Sequence, residues 1–283
     1  EKITNDTFLK IFDTHLQNNT LKPKDFDNLK NEIKISLKND NYNFESGFIS
    51  YENLQKINSD RYEYVLPYYN FSSTLSDNLF NGTINISSSG DSILNDTNKI
   101  KSKITNDIIY QSSEYISFGS LRSSYGANIK NLNSVGKKNS DYKSSPKIEL
   151  MSELVFNSSI PLIKEAENNY NYLTPKVLFK INPNEMKDYN NSDKTIDINN
   201  IFNNNRLGLN DTLEAGASLT VGLDYKKEKI EDINKFFEIK LATVFRDREE
   251  NLLPKKTTIN QKNSNFFGSI SNNFSDFFNI NYK

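Results

Sequence analysis

Cysteine and tryptophan are missing from this 283-residue chain, and histidine occurs once. Without cysteine there is no disulfide framework and no thiolate metal site, and the redox compartment stays open. A Ser-His-Asp or Cys-His device would have to use His15, which sits in a polar segment without an oxyanion-type glycine turn. No His/Cys ligand spacing for a metal is present. The acidic stretch from Asp91 to Asp96 lacks the glycine and terminal Glu of a calcium loop. Gly208 and Gly216 stand isolated, so there is no phosphate-binding glycine loop. Excess charge is missing too. Lys+Arg number 35 and Asp+Glu 36, which excludes an electrostatic footprint for nucleic acid. No run of ~18 apolar residues exists, so no transmembrane helix is expected. No signal peptide is legible either, and the chain, which starts at Glu1, reads as an internal fragment. The expectation is a protein that is not an enzyme and has no cofactor and no metal.

Hydrophobic residues are also scarce, at 35% against a usual ~45–50%, while aromatics still reach 12%. Few aliphatics with many aromatics argue against a thick core buried on both sides. The apolar residues that are present are patterned. Helical spacing is rare, and alternation recurs near 7–13, 29–38, 41–51, 62–73, 79–89, 102–112, 115–133, 145–157, 172–182, 213–226, 235–246, 264–273 and 277–283. These are about 13 strands in an all-β chain, read as one antiparallel meander.

The two faces of each strand differ. In 213–226, Leu219, Val221 and Leu223 oppose Ser218, Thr220 and Asp224. In 145–157, Ile148, Leu150, Leu154 and Phe156 oppose Glu149 and Glu153; in 235–246, Phe237, Ile239, Leu241 and Phe245 oppose Glu238, Lys240 and Arg246. Charges well inside strands require a wet second face. Glu149, Glu153, Thr220, Asp224, Glu238, Lys240 and Arg246 are therefore candidates to line a water-filled lumen. Glu149 and Glu153 together could imitate a glycosidase pair, but on one strand face they read as solvation. On this reading Leu223→Arg should block membrane assembly and Thr220→Arg should be tolerated.

Connections alternate in length. Short ones lie near 39–40, 75–78, 112–114 and 275–276; longer ones near 14–28, 52–61, 90–101, 134–144, 183–212 and 247–263; those at 158–171 and 227–234 are intermediate. Short turns at one end and long loops at the other, with rings crowded at strand ends, are the pattern of a transmembrane barrel. Pro67 and Pro175 predict local breaks in the ladder.

The stretch Asn200-Ile201-Phe202, Asn205-Arg206-Leu207-Gly208, Asp211, Glu214-Ala215-Gly216 and the strand through Thr220, Gly222 and Tyr225 resembles the LptD (organic solvent tolerance) family of LPS-assembly proteins of the Gram-negative outer membrane. The first glycine comes one position early for that pattern. Leu173-Thr174-Pro175-Lys176 with Phe179 and Pro183, and Ala242 to Arg246, resemble flanking family strands. Asp6-Thr7-Phe8-Leu9 and Asp60-Arg61-Tyr62-Glu63-Tyr64 are weaker matches upstream.

The resemblance implies a closed outer-membrane barrel of roughly twice this strand count, preceded by a periplasmic domain. Residues 1–283 would be one partial barrel domain, an open section of that large transmembrane β-barrel, with the periplasmic domain and the closing strands absent. The implied work is transport of lipopolysaccharide and its insertion into the outer leaflet. The implied partners are lipopolysaccharide, an LptE-like plug lipoprotein, periplasmic LPS-bridge proteins and outer-membrane lipid. A porin or receptor barrel is the alternative, and a secreted β-solenoid or adhesin a more distant one. Asn205, Arg206, Asp211, Glu214 and Gly216 are expected to anchor the end of a long outer loop that folds over or into the lumen.

Overall fold

A computed structural model of the chain describes residues 28–56, 61–77, 81–96, 98–139, 142–275 and 278–282. The strand expected near 7–13 and His15 lie outside the described residues. Fourteen strands follow one another: β1 (Asn28–Lys38), β2 (Tyr42–Asn53), β3 (Tyr62–Asp77), β4 (Gly82–Asn95), β5 (Lys99–Ser112), β6 (Tyr115–Ser117), β7 (Leu121–Lys137), β8 (Lys147–Ser159), β9 (Leu162–Ala166), β10 (Asn169–Asn182), β11 (Gly216–Lys229), β12 (Phe236–Arg246), β13 (Phe267–Ser275) and β14 (Phe278–Tyr282). The sheet runs in the order β1-β2-β3-β4-β5-β7-β8-β10-β11-β12-β13-β14, with β6 on β7 and β9 on β10. Among the described residues there is no α-helix, and β1 does not pair with β14. The chain is an all-β antiparallel meander that is not closed, an open section of a barrel.

Prolines and turns explain where the observed strands depart from the expected ones. The segment 115–133 is two strands, because Phe118, Gly119 and Ser120 turn the chain at φ of 39°, 74° and 151°. The short strand β9 was not expected. It continues β8 beyond a break at Ile160 and Pro161: β10 pairs with β8 over Lys176–Ile181 and with β9 over Asn169–Leu173. A proline has no N–H to give the ladder, and Pro161 sits in that gap. The connection expected at 158–171 is therefore only a tight turn at Glu167 and Asn168. Pro67 also marks a break. Gly47 faces Tyr68 and Ile49 faces Val65, so Leu66 and Pro67 together oppose Phe48 in a bulge. The long connection expected at 90–101 shrinks because β4 and β5 keep pairing to Asn95 and from Lys99. Among the described residues the two longest connections are 183–215 and 247–266; the one expected near 14–28 lies outside them, Asn28 apart.

The described strands belong to two compact units. The first holds Glu1–Leu75, Asn85–Ile108 and Asn131–Leu150. Its exposed apolar side chains include Ile33, Ile35, Leu37, Ile104, Ile148 and Leu150. On the face that carries Ile104 and Ile108, a mid-strand row of polar groups is tied together. Tyr69 Oη lies 3.1 Å from Ser88 Oγ, Ser88 Oγ donates to Asn106 Oδ1 at 2.7 Å, and Asn106 Nδ2 donates to Asn131 Oδ1 at 3.1 Å. Asn131 Nδ2 then donates to the Glu149 carbonyl at 3.2 Å. Each member of the row meets a protein partner.

The second unit holds Ser76–Ile84, Ile109–Lys130 and Met151–Lys283. Its strands are built inside out for a water-soluble protein. Leu154, Phe156, Phe179, Ile181, Leu219, Val221, Leu223, Leu241 and Phe245 are 37–60% exposed, while Glu153, Lys180, Ser218 and Thr220 on the other face are at most 3% exposed. The second face is not simply wet, as alternation alone predicts. The loops 183–215 and 247–266 lie on it and bring their own apolar core. Met186, Ile196, Ile198, Ile201, Leu207 and Leu209 from the first loop and Leu253 and Ile259 from the second pack with Ala215, Ala242 and Val244. Ala242 and Val244 are on the same face of β12 as Lys240 and Arg246, so that face becomes apolar where the loops cover it.

Candidate functional site

The centre of the second unit is the seat of the loop 183–215. Asn205 shapes the loop's last turn. Its Nδ2 donates to the Leu209 carbonyl and its Oδ1 accepts from the Leu209 N–H, each at 2.8 Å. Gly208, at φ 60°, lets the chain reverse inside that clasp. The turn aims Arg206 down onto the sheet, where it is 3% exposed.

There Arg206 meets Glu214. Nε donates at 2.9 Å to one carboxylate oxygen and Nη2 donates to the other, a two-pronged pairing. The guanidinium also donates to Thr220 Oγ1 at 2.8 Å and Ser218 Oγ at 3.1 Å, both on β11. Arg246, from the end of β12, donates from Nη1 to Glu214 Oε1 at 2.6 Å and from Nη2 to the Ala215 carbonyl. Lys180 on β10 lies 3.4 Å from Glu214 and 2.9 Å from Glu153 on β8, and donates to the Asn204 carbonyl at 2.6 Å. Asn128 on β7 completes Glu153 at 2.8 Å. Nearby, Lys130 donates to the Asn210 carbonyl at 2.9 Å. Glu214 thus ties the loop to β10 and β12, Arg206 adds β11, and the network reaches β8 and β7.

Burial opposes ionisation of Glu214, but Arg206, Lys180 and Arg246 outweigh it and hold its carboxyl well below the usual carboxylate range. Gly216 serves the same seat. Its φ is 79°, and a β-carbon there would lie 3.1 Å from Arg246 Nη2. The strand β11 starts at Gly216 rather than at Leu213 because Glu214 and Ala215 are drawn into this network.

The remaining sequence candidates make pairs of their own. Asp211 accepts from Lys187 Nζ at 3.0 Å and from Tyr189 Oη; burial works against its charge, and these two bonds keep its carboxyl below its ordinary value. Asp224 pairs with Lys176, Glu238 with Lys240 at 3.0 Å, and Glu149 with Lys147 at 2.6 Å. These three pairs sit outside the buried network. Arg206, Glu214, Glu153, Thr220 and Arg246 are the candidates brought together in it. Lys180, Ser218, Asn128 and Lys130 were missed. Lys180 falls on the same alternation as Lys176, which is the one signal that could have found it.

A second fixture is Phe202. Its ring covers Gly222 on β11, and Lys176 Nζ stands 5.6 Å from the ring centroid. The arrangement holds a loop on a polar sheet face. Among the described residues no cluster of His, Cys, Asp or Glu can hold a metal ion.

The family model described as LptD, LPS transport system D, matches residues 1–283, the whole of the chain. No curated protein matches it.

Proposed function

The chain belongs to the LptD family, LPS transport system D, and we propose that it forms part of the wall of an outer-membrane β-barrel that inserts lipopolysaccharide into the outer leaflet. The family makes it a component of lipopolysaccharide transport. The observation that carries the membrane reading is the inverted pair of faces. Leu219, Val221, Leu223 and Leu241 are exposed where Ser218 and Thr220 are covered. Apolar area on that scale needs lipid as its solvent. Lipid on the apolar side puts the polar face toward a lumen, with 183–215 and 247–266 as outer loops folded into it. Glu149, Glu153, Thr220, Asp224, Glu238, Lys240 and Arg246 then belong to the lumen wall. Asn205, Arg206, Asp211, Glu214 and Gly216 anchor the loop.

In this reading residues 1–283 are one partial barrel domain of a Gram-negative outer-membrane protein. Its partners are lipopolysaccharide, a plug lipoprotein, periplasmic bridge proteins and membrane lipid. Depleting the full-length protein in its own bacterium tests this. Lipopolysaccharide at the cell surface should fall and accumulate on the inner side, and the protein should fractionate with the outer membrane. Unchanged surface lipopolysaccharide after depletion would exclude the transport role.

A further inference from the structure

Beside the loop seat lies a cavity of about 170 Å³, lined in part by Arg122, Ser124, Asn157, Ser159, Lys176 and Phe202. It is below the ~300–1,000 Å³ of pockets for drug-sized ligands and on the scale of a single small ring. Every one of these residues belongs to the second unit. Alternation puts Ser124 on the face of Asn128, Asn157 and Ser159 on that of Glu153, and Lys176 on that of Lys180. The cavity is therefore on the polar face, beyond the edge of the loop core, and Phe202 of the loop forms part of its wall.

We propose that this cavity is a subsite for one sugar ring of the lipopolysaccharide saccharide, an inference that rests on the transport reading above. The lining combines polar side chains with the apolar surfaces of Phe202 and Val177, and a sugar ring offers both hydroxyls and a C–H face. Arg122 is half exposed, and its nearest carboxylate, Glu114, is 3.7 Å away and equally exposed. Such a loose pair offers charged donors and a charged acceptor side by side, which suits vicinal hydroxyls. Ser124 and Ser159 add hydroxyls and Asn157 an amide. Phe202 supplies an apolar plate for the C–H face of a ring, and it is held in place by its contact with Gly222. The cations near the cavity are matched by Glu114 and Asp224, so recognition runs through hydroxyls and not through net charge.

The test uses the full-length protein in its native membrane, with a photo-crosslinking amino acid replacing Ser124. Irradiation should give an adduct recognised by an antibody to lipopolysaccharide. Arg122→Ala should lower its yield about tenfold, the loss of a hydrogen bond to a charged group, while the amount of folded protein stays constant. Phe202→Leu, which keeps an apolar residue in the loop core, should lower it as well. No adduct at position 124, an adduct to another glycan only, or a yield unmoved by both variants would each overturn the subsite. In the same cells, surface lipopolysaccharide reports on transport itself, so loss of the subsite and loss of the transport role are read separately.

Discussion

Phe202 lies on Gly222: a β-carbon built on Gly222 would come 2.6 Å from the ring's Cζ and 2.9 Å from the Leu241 carbonyl oxygen. Gly222→Ala should therefore push the ring off the sheet and strain β11 against β12. Overpacking of this kind costs ~1–3 kcal/mol. The expected result is a lower unfolding midpoint of the membrane-extracted protein in urea. Adding Phe202→Leu should recover part of it, and no recovery would show that the Leu241 backbone alone sets the cost.

Glu214 is the acceptor on which Arg206, Arg246 and Lys180 converge. Glu214→Gln should leave buried cations under-paired and cost ~3–5 kcal/mol. Lys187→Met, which opens the more exposed pair with Asp211, should cost ~0–1 kcal/mol. Limited proteolysis within 183–215 should rise sharply for the first variant and little for the second. Equal sensitivity would mean that the network does not seat the loop.

Acid should release the same seat. The carboxyl of Glu214 titrates lower in the folded protein than the usual ~4.3 of the unfolded chain. Its contribution is then full above that unfolded value and is lost as pH falls through the folded one. Unfolding midpoints measured from pH 7 downwards should drop below about pH 4, and Glu214→Gln should show a shallower drop over that range. Parallel curves would remove Glu214 from the acid response.

Leu223→Arg puts a cation on the exposed apolar face near the middle of β11 and should cost ~2–4 kcal/mol in a bilayer. Leu223→Met should be nearly neutral. Heat-modifiable mobility of the assembled barrel reads both. Full assembly of Leu223→Arg would contradict a lipid-facing side. The sequence-based contrast with Thr220→Arg does not survive. Thr220 is fully buried and accepts from Arg206, so an arginine there would meet another arginine under the loop.

Asn106 links Ser88 to Asn131 across the apolar face of the first unit. Asn106→Leu removes the middle of that row; Ser88 keeps Tyr69, and Asn131 keeps Asn133 and the Glu149 carbonyl, so the expected cost is ~0.5–1.5 kcal/mol for each hydrogen bond lost. Ser88→Ala combined with Asn106→Leu should cost less than the two changes summed. Strict additivity in the unfolding midpoints would deny that the row acts as one.

Local pattern carried much of this protein. Alternation at Leu219, Val221 and Leu223 sufficed to place a two-faced strand, because a side-chain period of two depends on backbone geometry alone. Proline chemistry located the break at Pro67 for the same reason, whereas β10 runs on through Pro175 in register with β11 and the gap opposite it falls at Ile160 and Pro161. The words around Asn205, Arg206, Glu214 and Gly216 gave the family. Tertiary structure decided what covers the polar face. Ile196, Ile201, Leu253 and Ile259 are scattered through polar loops with no period, and their shared core exists only once the two loops meet over β12. Lys180 met Glu214, and Glu153 joined through Lys180, only through pairing of β8 with β10 and folding of the loop onto both. Those contacts span 34 residues from Lys180 to Glu214 and 27 from Glu153 to Lys180. No local signal specifies them, since their stabilisation appears only when water is excluded from all of them together.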